Sequence, residues 1–268
     1  MSKTNLIDIG ANLTHRSFDA DLEDVLARAH VAGVKRVVVT GTDEQCSEAA
    51  LELARGYPGV LYATAGVHPH EAKTFSNTTR TTLKAIAEHA AVVAVGETGL
   101  DFNRNYSPAG SQQDAFEQQL ELAAELQLPV FVHERDAHQR LHEMLKDYRD
   151  QLVDVVVHCF TGVKTELHSY LDLDLHIGIT GWICDERRGK HLHDLVADIP
   201  ANRLMLETDA PYLLPRDYPE KSSLQSARRN EPCTLRHIAE TVAGLRGVEL
   251  ETLAAQTSQT AQAFFRID

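Results

Sequence analysis

The sequence predicts a single α/β domain closed into a (β/α)8 barrel, the TIM architecture. Three observations predict it. Eight short runs rich in aliphatic residues recur along the chain, several apolar without interruption, as strands buried on both faces are. Segments with apolar residues at helical spacing stand between them, and strict strand–helix alternation specifies a parallel sheet. Eight such units in 268 residues suit a closed barrel, which commonly fills about 250 residues as one unit.

The elements follow in order. Strand one is expected at residues 5–9, and the helix at 21–32 puts Leu22, Val25, Leu26 and Ala29 on one face, with Gly33 as its C-cap. Strand two, 36–40, precedes a helix at 44–55, and strand three, 60–65, precedes one at 80–89. Strand four is expected at 92–95, ended by Gly96 and Gly99, whose freedom lets the backbone turn sharply. The helix at 111–126 leads through Pro129 into strand five, 130–132, and a helix at 138–148. Strand six at 153–157, a helix at 165–171, strand seven at 176–180 and a helix at 189–197 follow. Strand eight, 204–206, leads into a long loop and a final helical pair at 234–246 and 250–264. Neither linker, repeat nor low-complexity segment interrupts the chain, so residues 1–268 are read as one domain.

Composition narrows the function classes. Apolar residues make up 43%, enough for a full core and against disorder. No apolar run approaches the roughly 20 residues that span a bilayer, and the first residues show no signal-peptide apolar core. Cys46, Cys159, Cys184 and Cys233 are scattered, without a Cys-x-x-Cys, and read as reduced thiols. A cytoplasmic protein without membrane contact is expected, and a monomer. The net charge of −13 argues against a broadly basic nucleic-acid coat and leaves room for an enzyme with a local basic rim.

The polar residues at the strand ends carry the chemistry. Strand one holds Asp8, strand three runs to His68 and His70, and strand four to Glu97. Strands five, six and eight end at His133, His158 and Asp209. In a barrel these ends open on one face, where such enzymes place their chemistry. A carboxylate at the mouth of a buried strand is costly to desolvate without a partner. Neutral imidazoles (His133, His158) with carboxylates (Glu97, Asp209) suit a divalent ion with open positions, which activates water and polarises a phosphoryl or carbonyl oxygen. A nearby carboxylate can serve as general base, so metal-assisted hydrolysis is the reading. Cys159 is read as a small buried residue, not a nucleophile.

Ordered motifs extend this nearly end to end: Gly66-Val67-His68-Pro69-His70, Gly96-Glu97-Thr98-Gly99-Leu100-Asp101-Phe102, Val130-Phe131-Val132-His133 and His158-Cys159-Phe160-Thr161-Gly162. Gly178-Ile179-Thr180-Gly181, Glu207-Thr208-Asp209-Ala210-Pro211-Tyr212 and Arg229-Asn230-Glu231-Pro232 complete the set. With them the chain resembles the TatD family of metal-dependent deoxyribonucleases, among the amidohydrolase-like barrels. The resemblance implies metal ligands at Glu97, His133 and His158, and Asp209 as ligand or general base. It implies that His68 contacts the scissile phosphate or its water; His70 is left between that site and turn packing.

One departure matters. Many family members open with Asp-x-His-x-His, and here the place reads Asp8-Ile9-Gly10-Ala11-Asn12. The chain shares this Gly-x-Asn, and its Cys-Asp-Glu-Arg-Arg-Gly segment, with one subgroup of the family. A second metal site would rest on Glu97, Asp209 and the Asn12 amide. One tightly held ion is therefore expected, Mg2+ first with Mn2+ or Zn2+ as alternatives, and a weaker second that joins with substrate phosphate.

Arg104, Arg187, Arg188 and Arg229 are expected to contact substrate phosphates, beside Arg135, Arg216, Lys221 and Arg228 in the same loops. Trp182 is the foremost base-stacking candidate, with Phe102, Tyr106, Phe160 and Tyr212 nearby. Single-stranded DNA or frayed DNA ends, and RNA as a further substrate, are the expected partners. The resemblance implies a 3′-to-5′ exonuclease with a part in DNA repair. Two rivals stand beside it: an amidohydrolase or esterase, such as a deacylase of misloaded tRNA, and a non-catalytic metal-binding protein with a vestigial site. The first would be expected to carry a lysine where this chain has Glu97.

Overall fold

Eight parallel strands run in the order β1 to β8, each paired with its sequence neighbour, and helices fill the connections. The computed structural model describes residues 4–221, 224 and 228–268. The strands are β1 (Leu6–Ala11), β2 (Val34–Val39), β3 (Leu61–Ala65), β4 (Val92–Asp101), β5 (Val130–Arg135), β6 (Val155–Val157), β7 (His176–Ile179) and β8 (Leu204–Leu206). Between them lie α1 (Leu22–Ala32), α2 (Glu44–Gly56), α3 (Asn77–Ala87), α4 (Ala109–Leu126), α5 (His138–Tyr148), α6 (Lys164–Asp172) and α7 (Lys190–Leu195). The chain ends in α8 (Leu235–Arg246) and α9 (Leu250–Phe265).

The seam between β1 and β8 closes the barrel just beyond the last regular residue of β8. Gly10 O accepts the Asp209 N–H at 2.9 Å, and Ala210 O accepts the Asn12 N–H at 2.7 Å. The Asp8 side chain clasps the same seam, with Oδ1 2.9 Å from the Thr208 N–H that it accepts and Oδ2 2.5 Å from the Thr208 hydroxyl.

Two apolar layers hold the barrel. Ile7, Ile9, Val38, Phe131, Val156 and Met205 pack with Phe264, Phe265 and Ile267 at the C-terminus. The larger layer lies between strands and helices. At the N-terminal strand ends, Ser258 Oγ of α9 donates to Asn5 O at 2.7 Å and Phe264 meets His176 edge-on. That leaves the C-terminal ends for polar groups.

Caps explain several boundaries. Gly33 ends α1 in the left-handed conformation (φ 99°), while Asp43 and Ser76 accept the N–H of Cys46 and Thr79 to start α2 and α3. The Ser76 cap starts α3 at Asn77, three residues before the expected start, because a threonine-rich first turn hides the helical pattern. Strand four is the larger correction: it continues through Gly96 and Gly99 to Asp101 instead of stopping at Val95. Among the described residues no helix is long and apolar enough to cross a membrane.

Candidate active site

The C-terminal strand ends gather His68, His70, Glu97, Asp101, His133, His158, Glu207 and Asp209. Glu97 is at the centre. Its Oε1 lies 2.8 Å from His158 Nε2, 2.9 Å from His133 Nδ1 and 3.3 Å from His68 Nε2. β4 delivers this carboxylate because its pairing with β5 shifts register between Val95 and Thr98. Beyond the shift Gly99 stands opposite His133, where a Cβ would lie 2.0 Å from the His133 carbonyl oxygen. A side chain at Gly99 would push the two site strands apart.

The three imidazoles differ in what their far nitrogens meet. His158 Nδ1 lies 3.2 Å from Glu207 Oε2, so its proton points to that carboxylate. His133 Nε2 lies 3.6 Å from Asp101 Oδ2, too long for a hydrogen bond, and is a buried nitrogen without a partner. His68 Nδ1 instead accepts the backbone N–H of His70 at 3.1 Å, which assigns its proton to Nε2, facing Glu97. His133 and His158 therefore offer a cation the nitrogen that each turns to Glu97, in exchange for its proton, and Glu207 stands behind His158 to orient it. His68 does not, although ligand atoms of His68, Glu97 and His133 lie within 4.8 Å of one another. His68 is built to donate a hydrogen bond into the site. The donor set Glu97, His133 and His158 fits a divalent cation.

Electrostatics follow the same division. Burial opposes the charge on Glu97, but His158, with hydrogen bonds from His133 and His158, holds it well below the usual carboxylate range. Burial likewise opposes charge on His158, and Glu97 and Glu207 outweigh it and raise this imidazole well above its ordinary value. His68 is pushed down to about 4 by burial, and stays neutral despite Glu97. Burial pushes Asp209 up to about 7, against the pull of His158. Burial also raises the Cys159 thiol, which stays protonated beside Asp209 and Glu207 and is no nucleophile.

Two carboxylates in this site have roles that the sequence reading did not assign. Asp101 lies 2.7 Å from His70 Nε2 and accepts the Asn103 and Arg104 N–H groups, so His70 is tied to the β4 loop. Glu207 is fully buried and accepts the Cys159 N–H at 2.5 Å besides facing His158. The trace that Glu207 leaves in the sequence is glycine in both strands that flank β8, and it gains meaning only when those strands are side by side. A Cβ at Gly10 would lie 2.6 Å from Glu207 Oε2, and one at Gly178 2.6 Å from Glu207 Oε1. Gly10 is thus the space that Glu207 occupies. Asn12 Nδ2 donates to Asp209 Oδ1 at 3.1 Å, so its amide neighbours the carboxylate as a donor and offers no oxygen there.

The expected phosphate contacts divide. Arg187 and Arg188 sit on an exposed turn held by Asp185, which accepts both their N–H groups. Arg104 is exposed on the loop after β4. Arg229 is corrected: it is 8% exposed, paired with Asp21 and Glu231 at 2.7 Å each, and lies over the Phe18 ring. Its guanidinium ties α1 to the segment before α8 and does not reach for substrate. Trp182 has one ring face covered by Arg188, whose Cζ lies 4.3 Å from the ring centroid. The exposed aromatic rings at the mouth are Tyr106, 60% exposed and edge-on to His70, and Tyr212, 52% exposed near His15.

An eight-stranded parallel barrel with imidazoles and carboxylates clustered on its C-terminal strand ends defines an amidohydrolase-like barrel enzyme. The family model described as TatD related DNase matches residues 7–266. The chain belongs to the TatD related DNase family. A relative from Pantoea sp. (strain At-9b), named 3′-5′ ssDNA/RNA exonuclease TatD, is 52% identical over 263 residues, covering 98% of this chain and 100% of its own. The solved structure of a TatD homolog from Escherichia coli superposes with a TM-score of 0.88 at 30% identity, covering 98% of each chain. A TatD-family hydrolase from Entamoeba histolytica gives 0.88 at 25% identity over 100% of both chains.

Proposed function

We propose that this chain is a divalent-metal-dependent exonuclease that hydrolyses single-stranded DNA, and RNA by the same contacts, from the 3′ end. The observation that carries the reading is Glu97 Oε1 held between His133 Nδ1 and His158 Nε2, with Glu207 behind His158. The near-complete match to relatives named as 3′-5′ ssDNA/RNA exonucleases supports the substrate and polarity.

Glu97, His133 and His158 hold one ion tightly, Mg2+ foremost, with Mn2+ or Zn2+ as alternatives. When bound, it polarises the phosphoryl oxygens and lowers the pKa of an attacking water. Asp209, a buried carboxyl with a pKa near neutrality, takes the proton from that water as general base. The uncharged His68 donates from Nε2 to a non-bridging phosphate oxygen without adding charge. Glu97 and Asp209 would hold a second ion only weakly without phosphate oxygens, since Gly10 has no side chain and the Asn12 amide is engaged with Asp209. Arg104, Arg187 and Arg188 hold the phosphates, and the exposed Tyr106 and Tyr212 stack unpaired bases.

The test is digestion of end-labelled single-stranded DNA, duplex DNA and RNA with Mg2+, Mn2+ or chelator. Stepwise shortening from the 3′ end of single strands is expected, abolished by chelator and reduced at least a thousandfold in Glu97→Ala. Intact nucleic acid under every condition, or an equally active Glu97→Ala, would overturn the reading.

A further inference from the structure

A second group of metal-competent side chains meets outside the barrel mouth. Cys184 ends the 3₁₀ turn that follows β7 (Gly181–Cys184), Asp217 lies in the segment after β8, and His237 is in the first turn of α8. One ligand atom from each lies within 4.8 Å of the others. His237 Nε2 is 2.8 Å from Asp217 Oδ1, and the Cys184 thiol donates to the Thr241 hydroxyl on the next turn of α8 at 3.5 Å, a weak bond that a metal can replace. The three grade outward: Cys184 is 5% exposed, the His237 side chain 18% and the Asp217 side chain 54%. An ion can therefore enter from the Asp217 side and reach a sheltered sulfur.

We propose that Cys184, Asp217 and His237 form a peripheral site for a thiophilic divalent ion, Zn2+ before others, that cross-links the loop after β7, the segment after β8 and α8. A thiolate, an imidazole and a carboxylate make a soft, mixed set that takes zinc with water in the fourth position and discriminates against magnesium. Cys184 gives its proton to solvent as the sulfur binds. This chemistry differs from that of the Glu97 cluster, which has no thiolate, and the proposal does not depend on nuclease activity.

The location gives the site a consequence. Asp185, next to Cys184, holds the backbone N–H groups of Arg187 and Arg188. Arg216, next to Asp217, reaches Glu186 at 3.3 Å. An ion here fixes the turn that presents Arg187 and Arg188, using ligands on three separate segments.

Cobalt(II) tests the site, because a thiolate ligand gives it a strong near-ultraviolet charge-transfer band that imidazole and carboxylate ligands do not. The full-length protein, reduced and stripped of metal, is titrated with Co2+ in excess Mg2+. The expected result is a saturable band, reversed by Zn2+, absent in Cys184→Ser and at least tenfold weaker in affinity in Asp217→Asn. The exposed Asp217 can be changed without threat to the fold, so that variant stands even if Cys184→Ser folds poorly. No band in the wild type, a full band in Cys184→Ser, or wild-type affinity in Asp217→Asn overturns the proposal.

Discussion

At the scale of single residues, the site depends on where a few protons are held. His158 donates from Nδ1 to Glu207, which leaves Nε2 directed at Glu97. Glu207→Gln keeps the shape and the contact with the Cys159 N–H, but turns an amide N–H₂ toward His158. Two donors then face each other, and His158 loses both the acceptor for its Nδ1 proton and the charge that makes Nε2 a better ligand. Removing the carboxylate behind a metal-binding histidine typically costs about 10–100-fold in metal affinity. Calorimetric titration of Glu207→Gln with Mn2+ should show weakening in that range with an unchanged melting cooperativity; wild-type affinity would remove Glu207 from this role. Glu97, His133, His158 and Asp209 were legible in the sequence because a polar residue directly after an apolar strand is conspicuous. Glu207 was not, since its partners are glycines in strands distant in sequence. Arg229 misled because its motif context gives no sign of burial; only the fold sets Asp21 and Glu231 against it.

At the scale of elements, β4 and β5 form the working surface, and β4 runs for ten residues where its apolar run, 92–95, has four. Glycine in a strand reads equally as a turn or as a bulge, and the two meanings separate only when the neighbouring strand is present. Here the register shift between Val95 and Thr98 absorbs the irregularity, and the strand resumes opposite His133. Gly99 has φ 140°, a conformation that L side chains rarely adopt, and no space for a Cβ. Gly99→Ala should destabilise the protein by roughly 2–4 kcal/mol, combining backbone strain with displacement of β5. Urea unfolding followed by circular dichroism would read this as a lower midpoint at unchanged slope. Gly110→Ala is the control: a Cβ there meets nothing within 4 Å, and its midpoint should hold or rise. Equal midpoints for Gly99→Ala and wild type would show that β4 and β5 yield easily. Strand number, order and the alternation with helices were all readable, because periodicity reports burial; strand length at the site was not, because there polarity replaces periodicity.

At the scale of the whole molecule, closure of the barrel depends on a buried acid. Asp8 is 0% exposed and spans the seam between the first and last strands through Thr208. Burial pushes its carboxyl from 3.8 up to about 8, against the hydrogen bonds it accepts from Thr208 and Gly10. A carboxyl raised on folding binds its proton more tightly in the folded state than in the unfolded chain. Between pH 3.8 and about 8 the unfolded chain has released this proton while the folded protein retains it. Its contribution is thus complete below pH 3.8, declines as pH rises through that window and is lost above about 8. The limiting slope for one such group is about 1.4 kcal/mol per pH unit. Other groups titrate over the same range, so the comparison with Asp8→Asn isolates it: asparagine has no proton to lose and keeps an amide oxygen for the Thr208 N–H. Unfolding free energies measured from pH 5 to pH 8 should fall more steeply for wild type than for Asp8→Asn. Parallel profiles would mean that Asp8 closes the barrel as an ionised carboxylate held by its three donors.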